Sequence, residues 1–166
     1  MPTENWYTTI KQMLIIDEGF RRYPYEDLTG ANARARSGAG FITIGVGRNL
    51  EAHGLSDEVI LMMLTEDVDR ALAAAMGIFG EDFEAWDDAR QHAVVCMIFN
   101  LGPNGFLKFK KMVAALHAED WETAAEEAEN SKWYQQVKGR AKRIVKLLRD
   151  GVYDYPTINN IPTRSC

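Results

Sequence analysis

Two cysteines in 166 residues are too few for a disulfide framework. Cys96 sits inside an apolar run and reads as core. Cys166, the last residue, reads as free, and no metal-ligand spacing relates the pair. Histidine is scarce too: His53, His92 and His117 lie far apart, so no metal site is expected. Long apolar runs are missing, and the longest, AVVCMIF at 93–99 and VILMML at 59–64, fall far short of the roughly 20 residues a membrane-spanning helix needs. No membrane insertion is therefore expected. The opening MPTENWYTTIKQ has neither a basic leader nor an apolar stretch with a small-residue cleavage site, so the chain is expected to stay in the cytoplasm that makes it. Basic residues are outnumbered, 19 Lys and Arg against 24 acids, and the formal net charge of -5 argues against nucleic acid as the main partner. Internal repeats and low-complexity tracts are absent.

What is present is apolar residues, 46% of the chain, enough for one buried core or for two small lobes sharing a helix. Trp6, Ile10, Met13 and Leu14 recur at helical spacing, and Gly19 is a natural C-terminal cap, which predicts a first helix of about four turns. From Arg21 to His53 the texture changes to Pro24, frequent glycine and the alternating GFITIGVG, the marks of a small β region. There Ile42, Ile44 and Val46 would share one face, and Thr43, Gly45 and Gly47 the other. After Ser56, apolar spacing predicts a long helix to about Met76 that bridges two lobes. Helices then follow over roughly 87–101, 105–117, 121–131, a short stretch around Trp133, and 138–150, with Gly151 beyond the last. The tail YPTINNIPTRSC is expected to be extended or disordered. Six acids within 119–129 face seven Lys or Arg within 132–149; the alternatives are two solvated helix faces that neutralise each other, or a basic stretch facing an acidic group.

The stretch IIDEGFRRYPYEDLTG at 15–30 carries the chemistry. Glu18 lies about 40° round the first helix from Leu14, in its last turn, where the carbonyl end of the helix and apolar neighbours disfavour a bare carboxylate and suit a general acid. Asp27 lies between Pro24 and Gly30, where a turn leaves a carboxylate solvated. Two carboxyls in unlike environments are what cleavage of a glycosidic bond requires. Glu26, adjacent to Asp27, is a rival for the second role. Taken singly, Glu18 also reads as a helix-end acid, Asp27 as a turn former and Thr43 as a strand residue.

In order, LIIDEGFRRYPYEDLTG, FITIGVGRNL, FNLGPNGFLKF and SKWYQQVKGRAKRIVKLLRDGVYD resemble the landmarks of the phage-type lysozymes, glycoside hydrolase family 24, over roughly residues 10–155. The resemblance implies an α+β lysozyme-like fold: a single domain over 1–155, with 19–60 a small β lobe, 61–155 together with helix 5–18 a larger helical lobe, and 156–166 an extended tail. It implies Glu18 as general acid, with Asp27 and Thr43 holding and activating water. Gly47, Asn49, Phe99, Asn100 and Arg140 are implied as residues that bind the glycan, although Phe99 reads equally well as core. No cofactor is implied. The implied activity is an inverting muramidase that cuts the β-1,4 bond between N-acetylmuramic acid and N-acetylglucosamine in peptidoglycan, as a monomeric phage endolysin. Such a protein is made in the host cytoplasm and needs a holin-like pore, or delivery as a tail component, to reach the wall and lyse the host. The rivals are a lytic transglycosylase, which forms an anhydro sugar, and an inactive glycan-binding tail module. Fifteen residues separate Asp27 from Thr43 where the usual pattern has about five. That insertion, with Arg34 and Arg36, is either a plain flexible loop or a reach towards anionic wall polymer. Arg48 stands where a histidine often follows the strand, and Met112 and Glu127 stand where polar sugar contacts are usual.

Overall fold

The computed structural model describes residues 4–35 and 37–155. Arg36 and the tail at 156–166, for which the sequence predicts extended or disordered chain, lie outside the described residues. The architecture is the expected one, mostly helical with one small antiparallel sheet. It falls into two compact units, the first ending at Val59 and the second beginning at Ile60.

The first unit opens with α1 (Glu4–Glu18). Gly19, at φ +76°, ends it and donates its N–H to the Ile15 carbonyl at 3.0 Å, a conformation that costs glycine nothing. Of the predicted apolar stripe, Met13 and Leu14 are about half exposed. The sheet follows in the order β1 (Arg21–Glu26), β2 (Ile42–Gly45), β3 (Arg48–Asn49). Pro24 is tolerated because β1 is an edge strand. The alternation expected through Gly47 stops at Gly45, because Gly45 and Gly47 adopt φ +69° and +70° and turn the chain back into β3. A short helix, α2 (Leu50–His53), is not foreseen by periodicity; Asn49 caps its start, and Arg48 donates from Nε to the Gly54 carbonyl at 2.7 Å beyond its end.

Apolar and alanine-rich spacing carries α3 (Asp57–Phe79) about one turn further than expected, to Gly80 at φ +65°. Then come α4 (Glu81–Ala85), α5 (Asp88–Leu101), α6 (Pro103–Phe106), α7 (Lys110–His117), α8 (Trp121–Glu129), α9 (Lys132–Val137) and α10 (Gly139–Asp150). The helix expected over 105–117 is two. Gly102 at φ +70° and Pro103 at the first helical position start α6 early, and Phe109 breaks the ladder before α7. The buried apolar residues of the described chain all belong to the second unit, where Phe83, Met97, Phe106, Met112, Leu116, Ile144 and Leu148 are sealed from solvent. Phe79 joins this core through Trp86 (ring centroids 4.9 Å) and His117 (4.8 Å). Cys96 corrects the sequence reading. In α5 the core face is Ala89, Ala93, Val94, Met97 and Ile98, so Cys96 falls beside that face and is exposed.

Candidate active site

Five predicted residues meet in the first unit. Glu18, Asp27, Thr43, Gly47 and Asn49 line one open recess of about 340 Å³, together with Asp17, Arg21 and Tyr25. Strand pairing explains the convergence. Tyr25 lies opposite Thr43, and Thr43 opposite Asn49, so one row across β1, β2 and β3 faces the recess. Thr43 is buried in the middle of that row. Glu18 arrives from the C-terminus of α1, held against the turn between β2 and β3: a Cβ built on Gly47 would stand only 3.3 Å from Glu18 Oε2. Asp27 begins the turn after β1 and is exposed, as a turn carboxylate should be. Its Oδ1 accepts the Phe41 N–H at 2.8 Å, while its own N–H donates to the Phe41 carbonyl at 3.0 Å. Asn49 spends its Oδ1 on the Ala52 N–H at 2.9 Å, which caps α2.

Glu26 behaves quite differently from its neighbour. Its side chain is fully buried, and its oxygens accept from the Thr29 hydroxyl at 2.6 Å, from Ser37, and from the N–H groups of Gly38, Ala39 and Gly40. The Thr29 hydrogen bond, then those from Ser37 and Gly40, outweigh the opposing effect of burial and hold this carboxyl down at about 2. Of the two adjacent acids, only Asp27 opens on the recess.

Arg21 and Tyr25 line the recess without having been singled out by sequence. Arg21 stacks 4.2 Å over the Tyr25 ring and donates to the Gly30 carbonyl at 3.0 Å. Alternation along RRYPYED could have joined Tyr25 to Asp27 but not Arg21, because the strand register shifts between Arg21 and Tyr25.

In the second unit, Phe99 and Arg140 line a common recess of about 380 Å³ with Cys96, Arg143 and Tyr155. The apolar walls push the Cys96 thiol up, and the charge of Arg140 works against them. Phe99 is 47% exposed, which decides against simple core. Asn100 accepts the Trp133 indole N–H at 2.8 Å, tying α5 to α9. Met112 is core, and Glu127 pairs with Lys111 at 3.6 Å. The acidic and basic stretches do meet, through Arg149, which bonds Glu122 at 2.8 Å and Glu129 at 2.9 Å.

Residues 16–149 match the sequence profile of the phage lysozyme family, described as "Phage lysozyme". The chain is similar to the "Pre-baseplate central spike protein Gp5" of Enterobacteria phage T4, at 29% identity over 99% of the chain, and spans only 32% of that relative's length. It is also similar to "Probable T4-type lysozyme 1" and "Probable T4-type lysozyme 2" of Dictyostelium discoideum, each at 23% identity over 87% of this chain and 95% of the relative.

Proposed function

The chain belongs to the phage lysozyme family, and on that premise we propose that it is a peptidoglycan hydrolase, an endo-β-1,4-N-acetylmuramidase that cuts between N-acetylmuramic acid and N-acetylglucosamine with inversion. The observation that carries this is one recess lined by Glu18, Asp27 and Thr43 together. Its volume of about 340 Å³ is ample for a sugar edge and for a water, whose share of liquid volume is about 30 Å³. Glu18 gives its proton to the leaving glycosidic oxygen as the C1–O bond breaks. A water held by Asp27 and the Thr43 hydroxyl attacks C1 from the opposite face and yields its proton to Asp27. An inverting enzyme keeps its carboxyls roughly 6.5 to 9.5 Å apart so that this water fits. Gly47 and Asn49 border the same recess, and Phe99 and Arg140 offer an aromatic face and a guanidinium in the recess of the second unit. With Asn100 they are the glycan contacts of this proposal.

The test is the product formed from purified peptidoglycan. Inversion gives the α anomer first, visible by NMR before mutarotation, and Glu18→Gln ends turnover while the far-UV spectrum and melting curve stay unchanged. Appreciable turnover by Glu18→Gln defeats the assignment, and an anhydro-muramic product means a lytic transglycosylase.

Two settings suit this chemistry. An endolysin released to the wall at lysis is one. Similarity to a central spike protein over nearly the whole chain favours a second, a wall-cutting module carried by the virion. Immunodetection in purified particles separates them.

A further inference from the structure

Between Asp27 and Thr43, Thr29 and residues 37–40 gather around one side chain. Glu26 Oε2 accepts from the Thr29 hydroxyl at 2.6 Å and from the Ser37 N–H and hydroxyl at 3.2 and 2.9 Å. Its Oε1 accepts from the N–H groups of Gly38 at 2.8 Å, Ala39 at 3.1 Å and Gly40 at 3.3 Å. Three successive amides aimed at one oxygen make a nest that suits an anion, and charged acceptors make the stronger bonds. The chain leaves this nest at Gly40, and the next residue, Phe41, delivers its N–H to Asp27 Oδ1 at 2.8 Å. There is no slack at that exit: a Cβ on Gly40 would collide with Asp27 Oδ1 and stand 2.9 Å from Glu26 Cγ. Adjacent carboxylates thus clasp adjacent parts of the returning chain. One is sealed inside and the other points into the recess.

We propose that Glu26 is a positioning residue for Asp27: by gathering the amides of residues 37–40 it presents the Phe41 N–H that fixes the Asp27 carboxylate over the attacking water. This rests on the role given to Asp27 above. The effect is one of alignment, since a misplacement of about 1 Å can cost about a hundredfold in rate. Glu26 itself never touches substrate.

A mutant cycle tests it, with kcat and KM measured on solubilised peptidoglycan for the full chain, Glu26→Gln, Asp27→Ala and the double variant. Gln turns one acceptor into a donor facing donors, so the loop loses its anchor while the shape of the side chain is kept. Glu26→Gln is expected to lower kcat about tenfold and to move KM less than about threefold; Asp27→Ala lowers kcat about a hundredfold; the double variant matches Asp27→Ala within about twofold, because Glu26 has nothing left to align. A kcat for Glu26→Gln equal to that of the parent overturns the proposal, as do losses that simply multiply in the double variant. Should Glu26→Gln fail to melt cooperatively, Ser37→Ala, which removes one hydroxyl from the nest, replaces it in the cycle, with a loss of about threefold that again vanishes beside Asp27→Ala. A parent protein with no turnover at all overturns the muramidase reading and takes this proposal with it. Multiplying losses in an active enzyme overturn the positioning role alone.

Discussion

Gly47 is constrained twice. Its φ of +70° is one that residues with a Cβ adopt at a cost of roughly 1 kcal/mol, and an added methyl group would press on the Glu18 carboxylate at 3.3 Å. Gly47→Ala is therefore expected to lower kcat more than it lowers stability, which parallel kinetics and urea melts would show; equal retention of both would mean that the recess tolerates a displaced Glu18. The charge state of Glu26 gives a second residue-level prediction. Folding holds this carboxyl at about 2, below its ordinary value of 4.5, so the fold favours the ionised form. Its contribution is complete above about pH 4.5 and is lost as pH falls through 4.5 towards 2. Melting temperatures of the parent should drop across that window, and those of Glu26→Gln should drop less. Parallel curves would count against a buried, ionised Glu26.

At the scale of elements, the second unit is joined by few charged side chains with several partners each. Arg149 on α10 reaches both Glu122 and Glu129 on α8, and these bonds raise its affinity for its proton. Because Arg149 and both glutamates remain partly exposed, Arg149→Ala is expected to cost only about 1 kcal/mol, by urea denaturation, although a lone surface pair is worth less. Arg90 acts at the same end of α10. Held by Asp87 at 2.7 Å, it donates to the Leu148 and Arg149 carbonyls at the C-terminus of α10, and so supplies partners for groups that a helix end leaves open. Gly151, at φ +65°, packs against that guanidinium. Gly151→Ala combines backbone strain with displacement of Arg90 and is expected to destabilise by about 1 to 2 kcal/mol, whereas Gly38→Ala, with open space around it, should cost only the strain. A melt that does not distinguish the two would refute the packing role of Arg90.

On the scale of the whole molecule, burial is unevenly divided. The second unit holds the apolar core, while among the described residues of the first unit the buried side chains are Glu26 and Thr43, both polar. The first unit is thus organised by hydrogen bonds, which contribute modestly in net terms, and the second by apolar burial, the larger driving force. Native-state hydrogen exchange should find amides of α5 and α10 protected to the highest free energies and those of residues 37–49 opening first. The reverse order would contradict this division. Legibility in the sequence follows the same line. The bounds of α5, with Asp87 before it and Gly102 after it, and of α10 before Gly151, are readable because helical spacing and caps are local signals. Missed were α4, whose Phe79, Phe83 and Trp86 spacing was available, and the outward side of Cys96. The mostly helical architecture with a small β region was legible in the sequence because helical spacing, caps and alternation are local signals, while the pairing of Glu18 with Asp27 and Thr43 came from the resemblance of four ordered motifs to the phage-type lysozymes. That Asp27 and not Glu26 opens on the recess with Glu18 follows from long-range folding, because the amides that claim Glu26 come from residues 11 to 14 positions away, and no periodicity within one element encodes a partner delivered by chain closure.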